Sequence, residues 1–284
     1  LSTTDFFMPI VDDPYTFGQI AAANSISDVY AMGGKPLMAI SILGWPIELL
    51  SADIASQVLD GARSICNQAN IPIAGGHSID SPEPIFGLAV TGLAKKNQLK
   101  QNNKGEINCK IYLTKPLGIG IITTAQKRGL IENKDLEPAI EAMTTLNIIG
   151  SHISKLDYVP ALTDVTGFGL LGHLSEICES SNISAKVNFD QVPLLSKTKK
   201  YLKLDCIPGG TYKNFASYGD KIGELSEEEK LILCDPQTSG GLLVMVKEDS
   251  CKEFEKMTQE FGLNLKPIGY TCPRSESSKL VEVI

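Results

Sequence analysis

The chain has 284 residues, of which 43% are hydrophobic and 21% charged, and its formal net charge is −7. That balance excludes a disordered chain, and the acidic excess excludes a nucleic-acid binder that works by neutralising phosphates. The length suits two domains, or one large α/β domain, with a core that needs no disulfide or metal staple.

Leu1 runs straight into Ser2–Phe7, which reads as a strand already under way, so a segment is expected to precede it. Phe17–Met32 is rich in Ala and Ile and predicts a buried helix; Met38–Leu43 predicts a strand. Ser51, followed by Ile54, Val58, Ala62 and Ile65 at helical spacing, predicts a capped helix. Ile71–Ala74 and Ile85–Ala94 predict strands. The polar run Lys95–Gly105 predicts a linker, so the domains are expected at 1–105 and 106–284. The second half restarts with a strand at Lys110–Leu113 and alternates helices with short strands through Gly167–Glu179, Leu242–Val246, Cys251–Phe261 and Leu280–Ile284. Such alternation favours α/β or α+β layers over a barrel or a bundle. No apolar run approaches the roughly 18 residues of a membrane span.

Seven scattered cysteines with no C-x-x-C pair fit reduced thiols in a cytoplasmic protein better than a disulfide framework or a zinc site. None has a neighbouring His or cation that argues for a nucleophile, and Cys234 reads as a small buried hydrophobe. There is no G-x-x-x-x-G-K-[ST]. Gly167–Gly172 spells G-x-G-x-x-G, with Asp190 further on, but Pro160 and Asp164 upstream fit poorly in a continuous buried strand. Close packing at these glycines is favoured over dinucleotide binding. His173 is expected to cap or pack against the helix that follows them, and His152 has no evident partner.

Three aspartates follow a Ser or Thr beside apolar segments: Asp5, Asp28 and Asp164. A turn or cap explains each taken singly, but Asp28 lies inside a predicted helix, with Asn24 on the same face. A carboxylate on an apolar helix must be solvated, paired or metal-bound, and carboxylates converging from distant segments suit a hard divalent cation. Paired glycines at Gly33-Gly34, Gly75-Gly76, Gly209-Gly210 and Gly240-Gly241 read as turns that let backbone N–H groups approach an anion. Gly75-Gly76-His77-Ser78 is expected at the end of the strand Ile71–Ala74, and Lys115 is placed to supply a cation near a second turn.

In combination, these segments resemble the selenophosphate synthetase (selenide, water dikinase) family. The resemblance rests on Thr3-Thr4-Asp5-Phe6-Phe7 with Pro9–Pro14, Asn24–Gly34, Ala74–Asp80 with Pro82-Glu83-Pro84, Leu113–Gly118, Thr163–Gly169 and Asp235–Gly241, in family order over nearly the whole chain. It implies an α/β (α+β) fold of two domains like that of aminoimidazole ribonucleotide synthetase, dimerising through the N-terminal domain. It implies conversion of ATP, selenide and water to selenophosphate, AMP and phosphate. Asp28 and Asp164 would be Mg²⁺ ligands. Asp5, Asp28, Gly76, His77 and Ser78 would contact ATP, the last three from the neighbouring subunit. The implied partners are a second copy of the chain, ATP and selenide, with room for a selenium-delivery protein, and neither nucleic acid nor membrane. The chain departs from the family in one respect: the reactive Cys or selenocysteine and its Lys belong to a segment before Thr3, and nothing here matches them, so this fragment alone is expected to be inactive. Another superfamily enzyme, such as a small-molecule kinase or ATP-dependent synthetase, and a non-catalytic nucleotide-binding core are the alternatives.

Overall fold

Strand β1, Ser2–Phe7, alternates exposed and half-buried residues, as expected of an edge with one face turned to a core. Asp13 then accepts a hydrogen bond from Thr16 N at 2.7 Å, and Pro14 takes the first helical position, so helix α1 runs Pro14–Ala31. Strand β2, Lys35–Trp45, helix α2, Ala52–Gln68, strand β3, Ile73–Asp80, and strand β4, Ile85–Leu93, complete the first half. Ser51 is the N-cap of α2 by position, although its hydroxyl makes no capping bond. The computed structural model describes residues 1–275 and 279–284.

The second half contains β5 (Cys109–Leu113), α3 (Ile119–Lys127), α4 (Asn133–Thr144), α5 (Gly150–Ile153), β6 (Ala161–Asp164), α6 (Gly169–Ser181) and β7 (Ile183–Val187). It continues with α7 (Thr198–Leu202), α8 (Gly209–Tyr218), α9 (Glu227–Leu233), β8 (Leu242–Lys247), α10 (Cys251–Gln259), β9 (Gly269–Pro273) and β10 (Val281–Val283). The strands form two sheets, ordered β1-β4-β2-β3 and β10-β7-β9-β5-β8-β6. Among the described residues, no helix is long and apolar enough to cross a membrane.

Helix α1 is apolar on nearly every side because it is covered on nearly every side. Phe17, Ile20 and Ile26 join Phe86, Leu88 and Val90 of the first sheet, and the same cluster takes in Ile119 and Ile122 of α3 and Met143 of α4. One core therefore bridges the two halves. Helices α1 and α2 touch backbone to backbone: a Cβ at Gly18 would lie 1.9 Å from Val58 O, and one at Gly61 1.9 Å from Tyr15 O. The polar run 95–105 is held down: Lys100 is buried and donates to Leu156 O and Val159 O at 2.9 and 2.7 Å.

The first sheet has an open face. Residues paired across strands share a face, so the register Phe6↔Gly87↔Ile42↔His77 and the pairs Ile40↔Ala89 and Gly44↔Ile79 lie on the side opposite Phe86, Leu88 and Val90. Phe6, Ile40 and Ile79 are all exposed there.

Gly75–Ser78 is not a turn beyond a strand: it lies within β3, paired in parallel with β2 from Ile40↔Gly75 to Leu43↔Ser78. The glycines mimic turn chemistry, but an exposed edge strand tolerates them because only one side must pair. Gly209-Gly210 opens helix α8 instead of forming a free turn.

Candidate active site

Three elements bring the aspartates together. Asp5 faces inward from β1, Asp28 projects from α1 against it, and Asp164 ends β6, which packs on α1 from the second half. Asp28 and Asp164 line one cavity of about 300 Å³ with Thr3, Thr163, Met32 and Asn102. Asp5 stands beside it without lining it.

Each carboxylate is oriented by a donor. Asn24 Nδ2 donates to Asp5 Oδ2 at 2.9 Å, Thr3 Oγ1 donates to Asp28 Oδ2, and Ser27 Oγ donates to Asp164 Oδ2 at 2.5 Å. These bonds do not offset the cost of gathering the charges. Burial, then the neighbouring Asp28, pushes Asp5 up to about 6. Burial and the charge of Asp164 raise Asp28, and burial raises Asp164 despite its bond from Ser27.

Lys115 is the cation whose charge reaches Asp164. It is buried, its Nζ donates to Thr145 O at 2.6 Å and Ser239 O at 2.8 Å, and burial pushes it down to about 7. Ser239 is buried, sits at φ +48° and donates its N–H to Asn24 Oδ1 at 2.7 Å. A hydrogen-bonded path thus runs from Lys115 through Ser239 and Asn24 to Asp5. Gly240 and Gly241 serve this packing and do not form an open anion nest: Cβ atoms there would lie 2.0 Å from Val165 O and 2.3 Å from Lys115 N.

Neighbouring side chains brace the site. Asp235 Oδ2 accepts from Gly120 N at 3.0 Å, and Gln237 Oε1 accepts from Gly118 N and Ile119 N at 3.2 and 3.3 Å, so the Asp235–Gly241 segment caps α3 from across the fold. Burial pushes Asp235 up to about 8. His173 Nε2 accepts from Thr166 N at 3.0 Å, and burial pushes the ring down to about 4, which makes it a neutral brace for the loop after Asp164. Gly169, at φ +69°, packs on the Cys234 backbone. The strand before it, β6, is an antiparallel edge strand, unlike the central parallel strand of a dinucleotide-binding unit. All seven cysteines are free, five of them buried. His152 stacks edge-on against Phe261.

Gly76, His77 and Ser78 do not join the aspartates within one chain. They lie on β3, at the opposite edge of the sheet from β1, three strand spacings or roughly 14 Å away. Sequence reasoning missed Thr3, Ser27, Asn147 and Ser239 as supports. Ser27 was visible only as the residue before Asp28, and the donors of the second half are far away in sequence.

The donor set is all oxygen, which suits a hard divalent cation. Among the described residues, no group of three His, Cys, Asp or Glu side chains is arranged to hold an ion unaided. Magnesium fits that arrangement, since it takes one or two carboxylates and completes its shell with water and substrate phosphates.

Residues 1–94 match the family "AIR synthase related protein, N-terminal domain", and residues 106–281 match "AIR synthase related protein, C-terminal domain". The crystal structure of thiamine-monophosphate kinase from Stenotrophomonas maltophilia K279a superposes with a TM-score of 0.78 at 18% identity, covering 100% of this chain and 84% of that one, a likeness of fold. Selenide, water dikinase of Sulfurovum sp. (strain NBC37-1) is 64% identical over 284 residues, 100% of this chain and 82% of the relative. The Sulfurimonas denitrificans (strain ATCC 33889 / DSM 1251) protein of the same name is 61% identical over the same shares. On identity of that extent, carried across both halves of the site, the chain belongs to the selenide, water dikinase family.

Proposed function

We propose that this chain serves ATP-dependent synthesis of selenophosphate from selenide and water, with AMP and phosphate released. The observation that carries the proposal is the meeting of Asp5, Asp28 and Asp164 at the join of the two halves, in a chain 64% identical to a selenide, water dikinase. Asp28 and Asp164 would hold Mg²⁺, and Asp5 and Asp28 would face the nucleotide. When bound, the ion neutralises phosphate oxygens and the leaving oxygen. The chain's own groups do the positioning: Thr3, Asn24 and Ser27 each fix one carboxylate oxygen, leaving others for the ion and its waters. A net charge of −7 is compatible with a polyphosphate ligand held in this way, through a cation and not through basic side chains.

Two copies would pair through the open face of the first sheet. Phe6, Ile40 and Ile79 give that face its apolar character, and such faces are normally covered. Pairing there would let Gly76, His77 and Ser78 reach the partner's ATP. We keep the domain division at 105/106, and we expect the free thiols to reside in the cytoplasm. A selenium-delivery protein remains an expectation of the family resemblance.

The test is phosphorus NMR of the protein carrying this chain, with Mg-ATP and selenide. Selenide-dependent AMP, phosphate and selenophosphate support the proposal; ADP as product, or turnover indifferent to selenide, refutes it. Thiamine-monophosphate kinase shares the fold at only 18% identity, so a kinase of that type is not favoured.

A further inference from the structure

A serine inside a helix can return its hydroxyl proton to the carbonyl four residues back; Ser25 Oγ has that acceptor, Ala21 O, at 2.9 Å and Asp5 O at 3.0 Å. Ser27, two residues on and fully buried, instead donates across the join to Asp164 Oδ2 at 2.5 Å. What turns it is Asn147, in the segment between α4 and α5. Asn147 is buried, and its Nδ2 donates to Ser27 Oγ at 2.8 Å and to Gly240 O at 2.9 Å. A carbonyl can only accept, so the contact with Gly240 fixes which end of the Asn147 amide faces inward. Ser27 Oγ must then accept from Asn147, and its single proton is left for Asp164.

We propose that Asn147 is a positioning residue for the metal-binding carboxylate: by donating to Ser27, it commits the Ser27 hydroxyl to Asp164 and so sets which Asp164 oxygen remains for the cation. The inference rests on the assignment of Asp164 as a Mg²⁺ ligand. Nothing in the sequence pointed to Asn147, which lies 120 residues from Ser27 and outside the segments that carry the family resemblance.

The variants follow from donor and acceptor chemistry. Asn147→Asp keeps the shape but replaces the donor with an acceptor, so Ser27 turns its proton to residue 147 and releases Asp164. Asn147→Ala removes the donor and leaves Ser27 free to bond either way. Ser27→Ala removes the relay itself. Mg²⁺ affinity, taken from calorimetric ATP titrations at several Mg²⁺ concentrations, should fall about 10–100-fold in Asn147→Asp and in Ser27→Ala, and less in Asn147→Ala. Adding Asn147→Ala to Ser27→Ala should cost no further affinity, because the two act in series. Additive losses, or Asn147→Ala losing more affinity than Asn147→Asp, would overturn the inference and assign Asn147 to packing alone. If Asn147→Asp does not fold, the Ser27→Ala and Asn147→Ala cycle decides by the same criterion. A wild-type chain whose ATP binding ignores Mg²⁺ would refute the metal assignment itself, an outcome separate from unchanged affinity in the variants.

Discussion

The backbone N–H of Ser239 donates to Asn24 Oδ1 at 2.7 Å, joining residues 215 apart in sequence and on opposite sides of the join. Asn24 uses its other end on Asp5, so the Asp235–Gly241 turn in the second half holds a carboxylate in the first. Ser239 adopts φ +48°, a backbone region that non-glycine residues seldom occupy, and its Oγ has no hydrogen-bond partner among the described residues. The strain is sustained by the bonds its backbone makes to Asn24 and Lys115.

Asn24→Ala should therefore destabilise the fold by about 1–3 kcal/mol, since it leaves the buried N–H of Ser239 without an acceptor. Urea unfolding measures the loss. The same variant should raise Asp5 further, because the bond that opposes the rise is removed.

The carboxylate cluster gathers like charges in a buried place. With like charges pressing on one another, Asp28→Asn should raise the metal-free melting temperature at pH 8 by a few degrees while removing Mg²⁺-dependent ATP binding. Differential scanning calorimetry and titration calorimetry read the two effects separately. A variant that loses both stability and binding would count against mutual repulsion.

Asp235 sets a pH window. Its folded value is pushed up from 3.8 to about 8, so the folded state holds this proton more tightly than the unfolded chain does. The resulting stability is fully present below about pH 4 and is lost as the pH rises towards 8. In metal-free protein, Asp235→Asn should flatten the fall in stability across that range. Denaturant midpoints measured from pH 4 to 9 check it.

The proposed pairing through the open sheet face predicts a dimer in the wild type. Ile40→Glu or Ile79→Glu should convert a dimer to monomers without unfolding either half, as read by sedimentation velocity and circular dichroism. Both side chains are already exposed in one chain, so the substitutions leave its core untouched.

Much of this architecture was legible in the sequence. Apolar periodicity located α1, α2, β4 and β8 to within a few residues, because burial on one or all sides leaves a direct pattern. Asp28 stood out because a carboxylate inside an apolar helix needs an explanation. The sequence predicts a strand only over Ile71–Ala74, since Gly75-Gly76 carries turn chemistry and only pairing with β2 reveals the extended run Ile73–Asp80. The supports of the site were invisible for another reason. Ser27, Asn147 and Ser239 acquire their roles from partners in the other half of the chain, and no local pattern records such a pairing.

Titration calorimetry of ATP, with and without Mg²⁺, into the wild type, Asp28→Asn and Asp164→Asn tests the proposed metal-bridged binding most directly. Binding should require Mg²⁺ and disappear in both folded variants. ATP bound equally well without Mg²⁺, or by either variant as by the wild type, would contradict metal-bridged binding.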